Sequence, residues 1–569
     1  MRNAVNRRAT LSLAVAGVVF TMSSSVQAAN KFWDGDTDNL WTTGNNWGNP
    51  TGTAPTNGDF GDIAIFAGTP TANQPTLTAS RGIQGVDFQS GGWSINGTGF
   101  TLTTRSINSP GNNTFNAGFQ TIYGGTIFVG TGSTLTVNGV ATHNGGGNND
   151  GINSKTGEGT VRYNGGISVF NPLNPITTNA GITELNNTGT PGYFFVRNTG
   201  TVKLAKSNVI GEAAAHYFVV DNSGLLDMNG FSDTIGALYV GASNGTNLDS
   251  VPGNSIGGVG GGTVALNGGT LTARSVNLKG GTVTAVGGGT LNAQAGGVVT
   301  IADANTSTIN STFGLANSTA GAGVTFNVAN GAAAIDLSLT GPIVNNVGTG
   351  KITKTGLGVF SVSGASTFTA GTTVSVGTLL VNNSPAVTTE SGLGSGAVVV
   401  SGGATLGGTG RINGASANVT ATGLDASTLA VINPGSIDGA GAPIIGTLSV
   451  GGSVANNVTL GDFSSLVIDF SSTGLTNDVL AVAGALSLSS SSVLSLNIPT
   501  ELTLPSYTLA TFSSLSGTFS SVSNLPEGYD LIIDADSIDL VQNAAVPEPA
   551  SLAILGAGAM GLLLRRRNA

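Results

Sequence analysis

Thr263-Val264-Ala265-Leu266-Asn267-Gly268, Thr270-Leu271-Thr272-Ala273 and Thr282-Val283-Thr284-Ala285-Val286 are short pieces of one kind, following one another along the chain. Thr alternates with Val, Leu or Ala, the period of two that marks a strand with one buried face. Gly and Asn separate the pieces and supply the left-handed backbone positions of tight turns. The pattern stands upstream as well, at Thr134-Leu135-Thr136-Val137-Asn138-Gly139. Short strands joined by very short turns fit a solenoid better than β-sandwiches in series, which carry longer strands and fewer glycines. The expected fold is all-β: a right-handed parallel β-helix with β-rich capping modules at both ends.

Composition follows from such an architecture. In a β-helix small inward side chains fill a narrow core, and stacked Asn and Thr form ladders. A charge repeated in every rung would meet its like about 4.8 Å away, so charge becomes sparse. Of 569 residues 90 are Gly, and charged residues make up 8%, against about 25% in ordinary domains. The glycines have no period of three, which excludes collagen. The absence of Cys excludes disulfides, thiolate metal sites and a thiol nucleophile.

Charge is most informative by position. Arg2, Arg7 and Arg8 stand at one end and Arg565, Arg566 and Arg567 at the other. Residues 29–545 between them keep 13 basic residues against 28 acidic ones, Glu548 lying in the tail. Between Arg411 and Arg565 there is neither Lys nor Arg. Such a surface repels phosphate backbones, so nucleic acid is not an expected partner.

Residues 1–28 read as a signal peptide for Sec-type export: the three arginines, an apolar run over 11–20, and small residues ending at Ala28, with cleavage before Ala29. Arg7 and Arg8 leave twin-arginine export open, although the flanking residues fit it poorly. At the other end Val546-Pro547-Glu548-Pro549 precede an apolar run over 552–564, and Arg565, Arg566 and Arg567 follow as a cytoplasmic stop. A run of that length spans about 20 Å as helix, so it holds only transiently in a bilayer of about 30 Å.

These three parts, in this order, resemble the PEP-CTERM sorting tail of Gram-negative bacteria. The resemblance implies an exosortase-type membrane peptidase as partner, cleavage near the motif, and delivery to the cell surface or extracellular matrix. A second resemblance lies in the body. Lys351-Ile352-Thr353-Lys354-Thr355-Gly356-Leu357-Gly358 leads to Ser363-Gly364, and the strand Gly377-Thr378-Leu379-Leu380-Val381 closes the unit. With Gly403-Ala404-Thr405-Leu406-Gly407-Gly408 and Asn433-Pro434-Gly435, this is similar to the autotransporter-associated β-strand repeat, best over 350–450. That family implies a passenger-type β-helix and brings no catalytic residue. No membrane barrel follows the repeat, so self-translocation is not supported.

The resulting organisation is a signal peptide over 1–28, a Trp-containing β cap over 29–120, a β-helix over 121–450, a C-terminal β module over 451–545 and the tail over 546–569. All four Trp (Trp33, Trp41, Trp47, Trp93) fall in the first module, and a solenoid needs its end covered. In the C-terminal module Asp530 to Leu540 reads as a hairpin with Asp534 and Asp536 at its tip. In the best repeat, alternation through Val374-Ser375-Val376 puts Val376 inward and Ser375 outward.

Chemistry-bearing residues are few. Asp34, Asp36 and Asp38 start like a calcium loop, but Asn39 and Asn45 stand where Gly and the bidentate Glu belong. Calcium is therefore the only cofactor considered, and no metal site is expected. His143 borders an Asn/Gly tract and His216 precedes a strand; neither has a nucleophile elbow. Asp534 and Asp536 could take the spacing of a glycosidase pair, but a turn tip lacks a cleft. The expected function is an exported, non-catalytic surface or matrix solenoid. The alternatives are an adhesin holding exopolysaccharide and, behind it, a carbohydrate-active β-helix.

Overall fold

The structure, a computed structural model, describes residues 29–543 apart from 49–51, 59, 144–152, 170–174, 188–191, 214–215, 242–259 and 318–322. Within it the chain winds as a solenoid with three faces, each a parallel ladder. One ladder climbs through Ser94–Ile95, Asn113–Phe115, Thr134–Val137 and Thr160–Tyr163 and ends at Ser521–Ser523. Its first and last strands pair only with their neighbours in the stack, so it is open rather than a ring.

The other two faces begin within one 27-stranded sheet, because long strands bend across the corner between them. Gly118–Val129 pairs Ala141–His143 with its first half and Asn153–Thr156 with its second. Its partner Thr101–Ser109 shifts register between Thr104 and Ser106, where the bend falls. From Arg411–Ile412 onward a six-stranded sheet takes over one face, through Thr447–Val450, Val479–Val482 and Ser506–Thr511.

The period-two pieces become the rungs. Thr134–Val137 buries Leu135 and Val137 and turns both Thr outward. Register then stacks inward positions on one another: Leu135, Val161, Thr183, Val202, Leu226, Val264 and Val283 form one buried column. Burial of such columns is the main favourable term, at roughly 25 cal/mol per Å² of apolar surface. Turn residues are as expected: Asn198, Asn222 and Asn267 take left-handed backbone. At Gly139 and Gly165 the reason is proximity, since a Cβ would sit 2.1 Å from the carbonyl oxygen of the rung below.

The ends differ from the middle. Trp41 and Trp33 both pack edge-on against Trp47, with ring centroids at 4.8 and 5.0 Å, and Phe66 links the cluster to Trp93. This plugs the first turn of the core. Parallel stacking nevertheless starts at Ala29–Trp33 and runs through residue 121 unbroken. It also passes residue 451, since Val458, Ser464 and Val479 stack on Val419, Ala430 and Thr447. Residues 451–523 thus continue the solenoid, and the change of pattern comes only with the antiparallel hairpin Tyr529–Ile533 and Ser537–Gln542. The turn between these strands carries Asp534 and Asp536, as expected.

One expectation is corrected. The strand Thr372–Val374 ends before Ser375, and Val376 is half-buried in a bend. The inward residue is Val374, fully buried. Gly377, at φ +71°, turns the corner that the sequence alternation passes over.

Candidate functional sites

The polar residues that could do chemistry fall at separate places along the stack. His143 ends Ala141–His143 and points into the core, 1% exposed. Its Nδ1 lies 2.9 Å from Thr121 Oγ1 and its Nε2 3.4 Å from Tyr163 Oη. Burial brings the imidazole down to about 4, so it stays neutral near pH 7. This is a satisfied core histidine. The tract after it, 144–152, lies outside the described residues.

His216 lines a cleft of about 560 Å³ with Glu212, Asp233, Thr234 and Arg274. Sequence reading did not join these residues, because only the stacking of rungs brings 233 and 274 beside 216. Perturbed carboxyls in clefts are functional-site candidates, and burial raises Asp233 to about 6. Its oxygens, however, accept the backbone N–H groups of Val209, Ile210 and Thr234 at 2.8, 3.1 and 2.9 Å. Arg274 Nε donates to the Glu212 carbonyl at 3.2 Å. The carboxylate and the guanidinium both hold the winding of the 205–213 connection.

Asp534 and Asp536 are exposed on their turn. Backbone bonds fix it: Asp534 N–H donates to Ser537 O, and Asp536 O accepts from Phe512 N–H, both at 2.9 Å. A cleft of about 420 Å³ includes Asp536 but not Asp534. The calcium candidates are likewise used locally. Asp38 Oδ1 accepts from Leu40 N–H at 2.8 Å and from Asn46 Nδ2 at 2.6 Å, while its Oδ2 accepts from Thr43 Oγ1 at 2.9 Å. Those bonds hold its carboxyl below the usual range. Asp34 Oδ1 accepts from Asp36 N–H at 3.4 Å. Among the described residues no group of three acidic, His or Cys side chains is placed to hold a metal ion.

Two lysines do something the sequence reading missed. Lys354, 0% exposed, donates from Nζ to the carbonyls of Thr355, Gly356 and Val376 at 3.1, 2.7 and 3.0 Å. Lys155, 3% exposed, donates to Gly157, Gly159 and Ala180 at 2.5, 2.6 and 2.6 Å. Each opens the same string, Lys-Thr-Gly-x-Gly, at 155–159 and 354–358. A buried ammonium is tolerable only when its donors are met. Burial lowers both to about 8.

The outer surface carries ladders. Asn116, Asn138, Asn164 and Asn186 each donate a side-chain amide to the Asn one rung below, starting from Asn96, at 2.8, 2.8, 2.9 and 3.1 Å. In the neighbouring strands Arg162, Glu184, Lys203 and Asp227 stack in register with alternating sign. Arg162 Nε donates to Glu184 Oε1 at 2.8 Å. Opposite charges in adjacent rungs replace the repulsion expected of like ones.

Residues 1–28, the expected signal peptide with Ala28, fall outside the described residues, as do Val546, Pro547, Glu548, Pro549, Arg565, Arg566 and Arg567. Ala29 is the first described residue, and the last strand stops at Gln542. Directly after that strand, residues 545–567 match the PEP-CTERM protein-sorting motif. The motif marks an exported protein processed by an exosortase-type membrane protease. No curated protein matches the chain.

Proposed function

We propose that the chain is a non-catalytic β-solenoid of the cell surface or extracellular matrix, released to its place when its tail is cut. The observation that carries this reading is the order of parts: a long stack closed by a hairpin at Gln542, then the sorting motif over 545–567. Residues 1–28 would bring the chain through the Sec-type machinery and leave Ala29 first. The polar candidates support a structural role, since His143, Asp233 and Asp38 are all engaged in holding the fold. Repeats of the autotransporter-associated kind, with the Lys-Thr-Gly-x-Gly string as their opening, would account for the uniform winding.

The adhesin reading rests on the exposed Asn ladder from Asn96 to Asn186, a row of amides at rung spacing. Polysaccharide contact there would be multivalent and weak per site. Two measurements separate the readings. Replacing Pro547 and Pro549 by Ala should leave an uncut, membrane-held protein; normal release of that variant would remove the sorting reading. Incubating the body with acidic and neutral exopolysaccharides, with and without calcium, should give no release of reducing ends. Retention without release favours the adhesin, and sustained release lost on Asp536→Asn would promote an enzyme.

A further inference from the structure

A groove of about 670 Å³ opens at the C-terminal end of the solenoid, where Pro443, Phe470, Ile498, Pro499 and Pro526 line it with Asp469 and Asn497. Three prolines and an aromatic ring make a stiff, apolar wall. The chain leaves the described fold beside it. Gln542 pairs with Tyr529, whose N–H donates to Pro526 O at 3.3 Å, and Asn543 N–H donates to Gly528 O at 2.7 Å. The Tyr529 ring lies 6.2 Å from that of Tyr507, which lies 5.4 Å from that of Phe470.

From Asn543 an extended chain reaches about 10 Å to Val546 and about 20 Å to Pro549. We propose that this groove is the docking site of the chain's own residues 544–549, so that the folded body holds its sorting motif against itself. Each proline biases the residue before it toward extended backbone. A segment such as Val546-Pro547-Glu548-Pro549 therefore enters a proline- and aromatic-lined groove with little ordering cost. Asp469 accepts Asn497 Nδ2 at 2.6 Å and disfavours Glu548 directly over it, which leaves the two prolines and Val546 to make the contact. The tether raises the effective concentration to the millimolar range, so a weak contact suffices. The motif becomes available to the peptidase only when it competes with the groove, and the docking itself stands apart from whether the tail is cut.

The chain has no Cys, so cross-linking reports cleanly. In the full chain, Ile498→Cys with Val546→Cys should bridge under mild oxidation at least tenfold faster than Val286→Cys with Val546→Cys. Val286 is 78% exposed and lies many rungs away. Adding Pro499→Asp, at an exposed position, should slow the groove pair while leaving the circular dichroism unchanged. Equal bridging by the two pairs would overturn the docking. In cells Pro499→Asp should speed tail removal, and unchanged removal would overturn the gating. A wild-type tail that is never cut would count against the sorting reading alone, because the bridging result would still stand.

Discussion

Val374 and Thr373 are neighbours on Thr372–Val374 with opposite fates: Val374 is fully buried, Thr373 half-buried on the outer side. Val374→Asp places a carboxylate among stacked aliphatic side chains and should cost about 3–5 kcal/mol. Thr373→Asp should cost under about 1 kcal/mol, and equal losses in chemical denaturation would mean that the strand has no inner face. Asp478 gives a second test at this scale. It is 1% exposed and accepts the Gly446 N–H at 2.7 Å. Burial, with repulsion from Asp469, pushes its carboxyl up to about 7. A raised carboxyl stabilises the fold fully below its unfolded value near 3.8, and that contribution fades as pH rises toward 7. Asp478→Asn should therefore melt increasingly above wild type as pH rises from 4 to 8; a constant difference across that range would contradict the burial. The inward set was legible wherever strands were cleanly alternating, as at Leu135 and Val137. It was misread at Val376 because Thr-Val-Ser-Val alternates straight through a corner that Gly377 makes in the backbone.

At the scale of the rung, the lysine string is the unit with the most definite physical content. Lys155 and Lys354 each tie three carbonyls from two successive turns of the solenoid. Lys354→Met leaves those carbonyls under-bonded in a dry place and should cost about 2–4 kcal/mol. Lys206→Met, on an exposed lysine, should change stability by under about 0.5 kcal/mol. Similar midpoints for both variants would show that the buried ammonium is not a clamp. The string at 155–159 stood in the sequence as plainly as the one at 354–358. Nothing in a residue pattern says that a lysine turns inward; the carbonyls it needs come from the next rung, and only the stack supplies them. The Asn ladder was foreseeable in kind, but its members Asn96 to Asn186 follow from register. For the same reason His216, Asp233 and Arg274 could not be grouped in advance.

For the whole molecule, the sequence was most explicit at its ends and in its period. Repeated alternation with Gly and Asn turns leaves few folds other than a stack. The Trp cluster and the final hairpin fall where ends were expected. The exchange of one face at Arg411–Ile412 was not legible, because a strand alternates in the same way whichever ladder it joins. Neither was the continuation of rungs past 451, since the longer strands there stack like the shorter ones. A buried His143 near 4 adds one property of the intact fold. The lowered imidazole gives stability that is complete above about 6.5 and lost on acidification toward 4. His143→Gln should flatten the fall in melting temperature over that window. The central claim, an exported solenoid delivered by its tail, is tested most directly by the intact mass of the protein recovered outside the cells. The account predicts a chain that begins at Ala29 and lacks Arg565, Arg566, Arg567 and most of residues 552–564; extracellular protein still carrying every residue to Ala569 would contradict it.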